Sequence, residues 1–184
     1  PTSQNSYAGL GPAAGAFIRT GWRTLVAAEI LQKLLTKTRP YELEKGQTEA
    51  VFEESLDDLC NTIENTPVNP PVQLAAMRDS LIRCRDRFRK IPVRKDRNFP
   101  LIGIVGEIFC RLHAFSNEDL VRRLEEYEAE AWISDICEWV WYTIAEQFRK
   151  LALVRKKYSF EAVKTWVRKK VQAHDEHVLL ETVK

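Results

Sequence analysis

Apolar residues recur along this chain with two different rhythms. From Ala13 to Lys37 the positions Ile18, Trp22, Leu25, Val26, Leu31, Leu34 and Leu35 return at helical spacing, and Pro40 closes the segment. Gln47 to Asn65 sets Phe52, Leu56, Leu59 and Ile63 on one face. Pro71 to Lys90 does the same with Leu74, Met77, Leu81, Cys84 and Phe88. Between these two lies TPVNPP, whose prolines lack the amide donor a continuing helix needs. The pattern predicts two helices joined as an αα-hairpin.

From Phe99 the rhythm shortens. Leu101–Val105 is a brief β-branched run bounded by Pro100 and Gly106, which predicts a buried strand, and Ala129–Ser134 predicts a second. Between them Ser116–Glu126 has helical spacing, with Ser116 as N-cap and Asp119 as its capping-box partner. Strand, loop, helix and strand in that order open a parallel α/β layer. Glu138–Lys157 and Ser159–Gln172 then return to helical spacing, whereas residues 1–12 are Ser/Asn/Gly/Pro-rich and predict a loop. The expected class is α/β and mostly helical. Three parts follow: 1–40 as loop plus helix, 41–97 as a helical hairpin connector, and 98–184 as the α/β part.

Charge sharpens the hairpin. Residues 42–64 carry eight carboxylates against Lys45 alone, and residues 78–97 carry nine basic groups against Asp79, Asp86 and Asp96. Opposite signs favour antiparallel pairing of the two helices. Exposed ion pairs contribute only about 0–1 kcal/mol each, so the apolar seam supplies stability and charge supplies register. The chain as a whole is near balance, with a net charge of +2 over 184 residues, so neither nucleic acid nor a membrane is an expected partner. No stretch approaches the roughly 18 apolar residues of a membrane span. Four scattered cysteines, at 60, 84, 110 and 137, suit a reducing compartment, and the cytoplasm is the expected location. A start at PTSQNSYAGLG with Met77 as the single methionine suggests a piece of a longer chain.

Candidate chemistry gathers in the turn GEIFCRLHAF, which is long for a strand-to-helix connection. In open α/β sheets ligands sit beyond the carboxyl ends of the strands, and a helix start there offers free N–H groups. Gly106 permits close backbone approach, Glu107 and Arg111 are expected ligand contacts, and Ser116 and Asn117 are expected to line the helix mouth. GIVGE does not match GxGxxG, which removes a dinucleotide site. Other signals favour plainer readings. HDEH at 174–177 sets two imidazoles one turn apart but lacks a third ligand, so a polar helix end is expected. The basic run 78–97 lacks interleaved aromatics and is expected to be a solvated face. EWVWYT at 138–143 crowds aromatics beside Glu138 and is expected to pack in the core in large part. Cys110 and Cys137 each follow a predicted strand and could face one crevice. Two distant thiols are a weak signal for an iron–sulfur cluster.

One stretch carries a family resemblance. PLIGIVGEIFCRLHAFSNEDLVRRLEEYEAEAWISDICEWVWYT resembles a segment of the 2-hydroxyacyl-CoA dehydratase-like proteins, closest to their activase-related branch, through its GIVGEI loop, F-S-N helix start, LE pair and EW-x-x-Y element. NSYAGLG, WRTLVAAEILQK and TRPYELEKGQTEAVFEESL resemble the stretch just upstream in those proteins, so the similarity spans nearly the whole chain. It implies cytoplasmic Rossmann-like lobes, a [4Fe–4S] cluster between lobes, and an ATP-driven activator that injects one electron before a substrate thioester loses water through a ketyl radical. Residues 1–40 would then be the tail of one lobe and 98–184 a partial Rossmann-like lobe. Gly106, Glu107, Arg111, Ser116, Asn117, Glu138 and Trp139 would line the interlobe ligand pocket, with Cys110 and Cys137 as the available thiols. Partners would be the rest of the parent chain and an activator ATPase or dehydratase subunit. The family places Gly where this chain has Glu128, and the ATP-binding lobe of the activators is absent. The competing expectation is a non-catalytic helical interaction module without a cofactor.

Overall fold

The computed structural model describes residues 8–155 and 159–184. Residues 1–7 of the loop expected over 1–12, and the last two residues of the helix expected to end at Lys157, fall outside that range. A 3-10 turn at Ala8–Ala13 leads into α1 (Ala14–Thr38), and a second at Arg39–Tyr41 ends it. α2 (Gln47–Asn65) and α3 (Pro70–Phe88) follow. Then come β1 (Leu101–Ile104), α4 (Ile108–Leu112), α5 (Leu120–Glu126) and β2 (Glu130–Ile133). α6 (Ile136–Leu153) and α7 (Phe160–Leu180) complete the order. The described chain is mostly helical, with one two-stranded parallel sheet in the register Leu101↔Glu130 to Ile104↔Ile133.

The core runs along α1. Trp22, Val26, Ala27, Ile30 and Leu31 pack with Leu59 of α2, with Leu74, Met77, Leu81 and Cys84 of α3, with Cys137 of α6 and with Leu179 of α7. Heptad-like seams on α2 and α3 bring those helices together as a hairpin, as their periodicity predicts. Their outer charges lock the register: Asp58 accepts from Arg83 at 2.5 Å and from Arg87 at 2.8 Å, and Arg87 also pairs with Glu54. Arg83 first, then Arg87, hold the Asp58 carboxyl at about 2, against the opposing push of burial.

Three expectations change in the α/β part. The helix expected from Ser116 begins only at Leu120, because the capping box does not form. Glu118 and Asp119 both adopt left-handed backbone, and the Asn117 Oδ1 accepts the Leu120 N–H instead. β1 is not buried: Leu101 is 61% exposed, and only Ile104 of the strand is buried. A sheet of two strands leaves apolar side chains uncovered that a wider, doubly covered parallel sheet would bury. α7 runs eight residues past the expected Gln172, and HDEH lies in its last two turns, as the expected polar helix end. Glu128 sits left-handed at φ 59 just past α5, where glycine is the usual residue. The turn still closes as a Schellman motif, with the Ala129 N–H donating to Leu124 O and the Glu128 N–H to Glu125 O.

Within HDEH the decisive residue is the aspartate. Asp175 is fully buried and accepts from Arg23 Nε at 2.7 Å and from Arg19 Nε at 2.9 Å, which joins α7 to α1. Arg23, itself buried, also donates to the Pro70 carbonyl and to Gln73, so α3 enters the same network. Burial pushes the Asp175 carboxyl up, but the bonds from Arg19 and Arg23 outweigh it and hold it below its ordinary value. Its stabilising contribution is therefore complete above the unfolded carboxylate value and is lost as pH falls through the lower folded value. Asp175→Asn leaves two guanidiniums without their counter-ion and is expected to cost about 3–5 kcal/mol at neutral pH. Urea unfolding of both proteins at neutral and at acid pH checks this, and the stability gap should narrow on the acid side.

Candidate functional site

Both strands end beside one open cleft. Its walls come from Gly106, Glu107, Ile108 and Arg111 after β1, and from Ser134, Asp135, Glu138, Trp139 and Tyr142 after β2, around a volume of about 390 Å³. The place is where parallel sheets put ligands, beyond the carboxyl ends of the strands. Gly106 stands at φ 138, a backbone region that strains any other residue, and turns the chain from β1 into α4. Glu107 caps that helix by accepting the Cys110 N–H at 3.0 Å.

Arg111 gives the cleft its character. It is 6% exposed, and its Nη1 donates to the Ser134 carbonyl, which ties α4 to the end of β2. Its buried Nε has no partner, and it forms no ion pair among the described residues. A buried guanidinium without a carboxylate is costly unless a ligand atom completes its hydrogen bonding. The nearby acids are already engaged. Glu107 holds the Cys110 N–H, Glu138 accepts from Ser134 Oγ at 3.0 Å, and Asp135 is paired with Lys33. What remains open is a donor, suited to a carbonyl, carboxylate or phosphate oxygen. Trp139 and Tyr142, both largely exposed, offer apolar surface beside it.

The second wall is fixed from α1. Glu29 Oε1 accepts the Ile136 and Cys137 N–H groups at 2.5 and 3.1 Å, so a carboxylate from a distant helix caps α6 at its positive end. Lys33 bonds Asp135 and lies 5.0 Å from the centre of the Trp132 ring. Trp141 turns inward, packs edge-on against Trp22 at 5.4 Å and donates Nε1 to Glu176. Burial raises the Glu176 carboxyl above its ordinary value.

Of the residues singled out in the sequence, Gly106, Glu107, Arg111, Glu138 and Trp139 share this cleft. Ser116 and Asn117 do not line it. Ser116 Oγ bonds His113 Nδ1 at 2.8 Å, and the Asn117 amide donates to the Cys110 and Arg111 carbonyls, so both residues fasten the turn between α4 and α5. The aromatic run divides, with Trp141 in the core and Trp139 and Tyr142 at the cleft. Sequence reasoning missed Glu29 and Lys33, and noted Tyr142 only as the tyrosine of EW-x-x-Y rather than as a cleft residue. Tyr142 lies one helical turn from Glu138 and was within reach of that signal, whereas Glu29 and Lys33 lie more than a hundred residues from their partners.

The two thiols do not meet in the crevice. Cys110 is exposed on α4, and Cys137 is buried in the core. Burial, then contact with Glu29, pushes the Cys137 thiol far up and keeps it protonated. Among the described residues no group of three or more His, Cys, Asp or Glu side chains is placed to hold a metal ion. His174 and His177 are exposed, and His177 Nε2 lies 3.8 Å from Glu181 Oε1. No helix among the described residues is long and apolar enough to cross a membrane. No family model, curated protein or solved structure matches this chain.

Thiol chemistry reads this arrangement directly. In the folded protein a thiol reagent is expected to modify Cys60 and Cys110 quickly, while Cys84 and Cys137 react only on unfolding. Mass spectrometry of the labelled peptides checks the order, and fast labelling of Cys137 would contradict its placement.

Proposed function

We propose that this chain is a segment of a 2-hydroxyacyl-CoA dehydratase-like or activase-related protein of the cytoplasm. On this reading residues 98–184 are part of a Rossmann-like lobe, and the cleft holds an acyl-CoA thioester during ATP-driven electron transfer and dehydration. The observation that carries it is Arg111, a buried guanidinium with an unfilled hydrogen bond in the cleft wall. Its donor suits the thioester carbonyl oxygen, where negative charge grows as the substrate is reduced. Glu107 and Glu138 line the same cleft and brace its walls through the Cys110 amide and the Ser134 hydroxyl. In the parent protein a [4Fe–4S] cluster would supply the electron, and thiolates elsewhere in that protein would hold it. The partners are then the rest of the parent chain and an activator ATPase or dehydratase subunit.

One observation favours a second reading. Phe115 is 90% exposed and Phe109 58% exposed, both against the His113 ring, as suits a non-catalytic module that binds another protein. Calorimetric titration with a 2-hydroxyacyl-CoA thioester separates the two. The thioester reading expects measurable binding that weakens about tenfold or more in Arg111→Ala, with unchanged circular dichroism. Glu138→Gln, on an exposed side chain, is a second variant that keeps the fold and should weaken binding less. An absence of binding to the folded protein, or equal binding by all three proteins, contradicts the thioester reading and favours the interaction module.

A further inference from the structure

The first half of α7 packs one face and leaves an apolar stripe uncovered on the other. Ala162 and Thr165 are buried. At about 100° per residue, Phe160, Val163 and Val167 fall within an arc of about 60° on the opposite side of the helix. All three are exposed, Phe160 by 83%. Trp166 and Lys170 border this stripe on one edge, with the Lys170 ammonium 5.8 Å from the centre of the Trp166 ring. Lys164 and Arg168 border it on the other edge and are exposed. Just before the connection to α7, the end of α6 adds exposed Leu153, Val154 and Arg155.

We infer that the α6–α7 end of the molecule docks on an anionic lipid surface. An apolar stripe edged on both sides by Lys or Arg, with Trp at its border, is the pattern of a helix lying in a membrane interface. The basic edges meet anionic headgroups while Phe160, Val163 and Val167 enter the acyl boundary. Nucleic acid fits less well, because three side chains at the centre of the surface would find no partner on a phosphate backbone. A single protein groove fits less well too, since the end of α6 also exposes Leu153 and Val154. Only Glu161 opposes the basic residues on the exposed first turns of α7. The near-balanced charge of the whole chain conceals this local excess, since α2 alone carries six carboxylates and no Lys or Arg. The inference is independent of the cleft and of any ligand there.

Co-sedimentation of the full 184-residue chain with vesicles tests it. Binding is expected to phosphatidylcholine vesicles containing phosphatidylglycerol and not to phosphatidylcholine alone, and should fall as salt is raised. Lys164→Gln and Lys170→Gln should each weaken it about fivefold. Phe160→Ser should weaken it further without altering circular dichroism, because this side chain is exposed. Lipids brominated on the acyl chain should quench fluorescence in the native protein more than in Trp166→Phe. No binding to the anionic vesicles, equal binding to both vesicle types, or undiminished binding by Phe160→Ser would overturn the inference. Binding to polyuridylate without binding to vesicles would also overturn it.

Discussion

The Glu29 carboxylate at the start of α6 is the contact on which the cleft depends. It belongs to a ladder of charged side chains along one helix. Arg19 and Arg23 hold α7 through Asp175, Glu29 caps α6, and Lys33 holds the end of β2 through Asp135. Just past the helix, Arg39 grips Glu125 of α5 with two bonds of 2.7 and 2.8 Å. The apolar side chains of α1 organise the helical core, and these polar ones fix the elements carrying the cleft. Burial supplies most of the stability, while directional bonds between charged groups select one arrangement.

Much of the helical half was legible because its signals are local. The hairpin α2–α3 follows from two apolar seams, a proline-rich turn and opposite charge, all within about fifty residues. The α/β part was legible in its order and parallel pairing but not in its burial. Periodicity identifies Leu101–Val105 as a strand, yet whether a strand is covered depends on neighbours that its own sequence does not specify. The helix after it was misplaced because Ser116 and Asp119 satisfy a capping pattern, whereas Asn117 captures the backbone first.

The site was partly legible for the same reason. Gly106, Glu107 and Arg111 announce themselves in one long turn, and Glu138 and Trp139 in the aromatic run that opens α6. Asp175 escaped notice because the histidines beside it drew attention to metal chemistry, while its partners lie at Arg19 and Arg23. The unfilled valence of Arg111 belongs to three dimensions alone. Its backbone partner, Ser134, is 23 residues away, and no spacing rule predicts that the nearby carboxylates are already engaged elsewhere.

Positioning of the cleft by α1 is best measured by hydrogen exchange at the two amides that Glu29 holds. In the native protein the Ile136 and Cys137 N–H groups should be protected. In Glu29→Gln that protection should fall at both amides, while the α2–α3 hairpin exchanges as before. Unchanged protection at Ile136 and Cys137, or an equal loss throughout the molecule, would contradict the claim that this side chain sets the second wall.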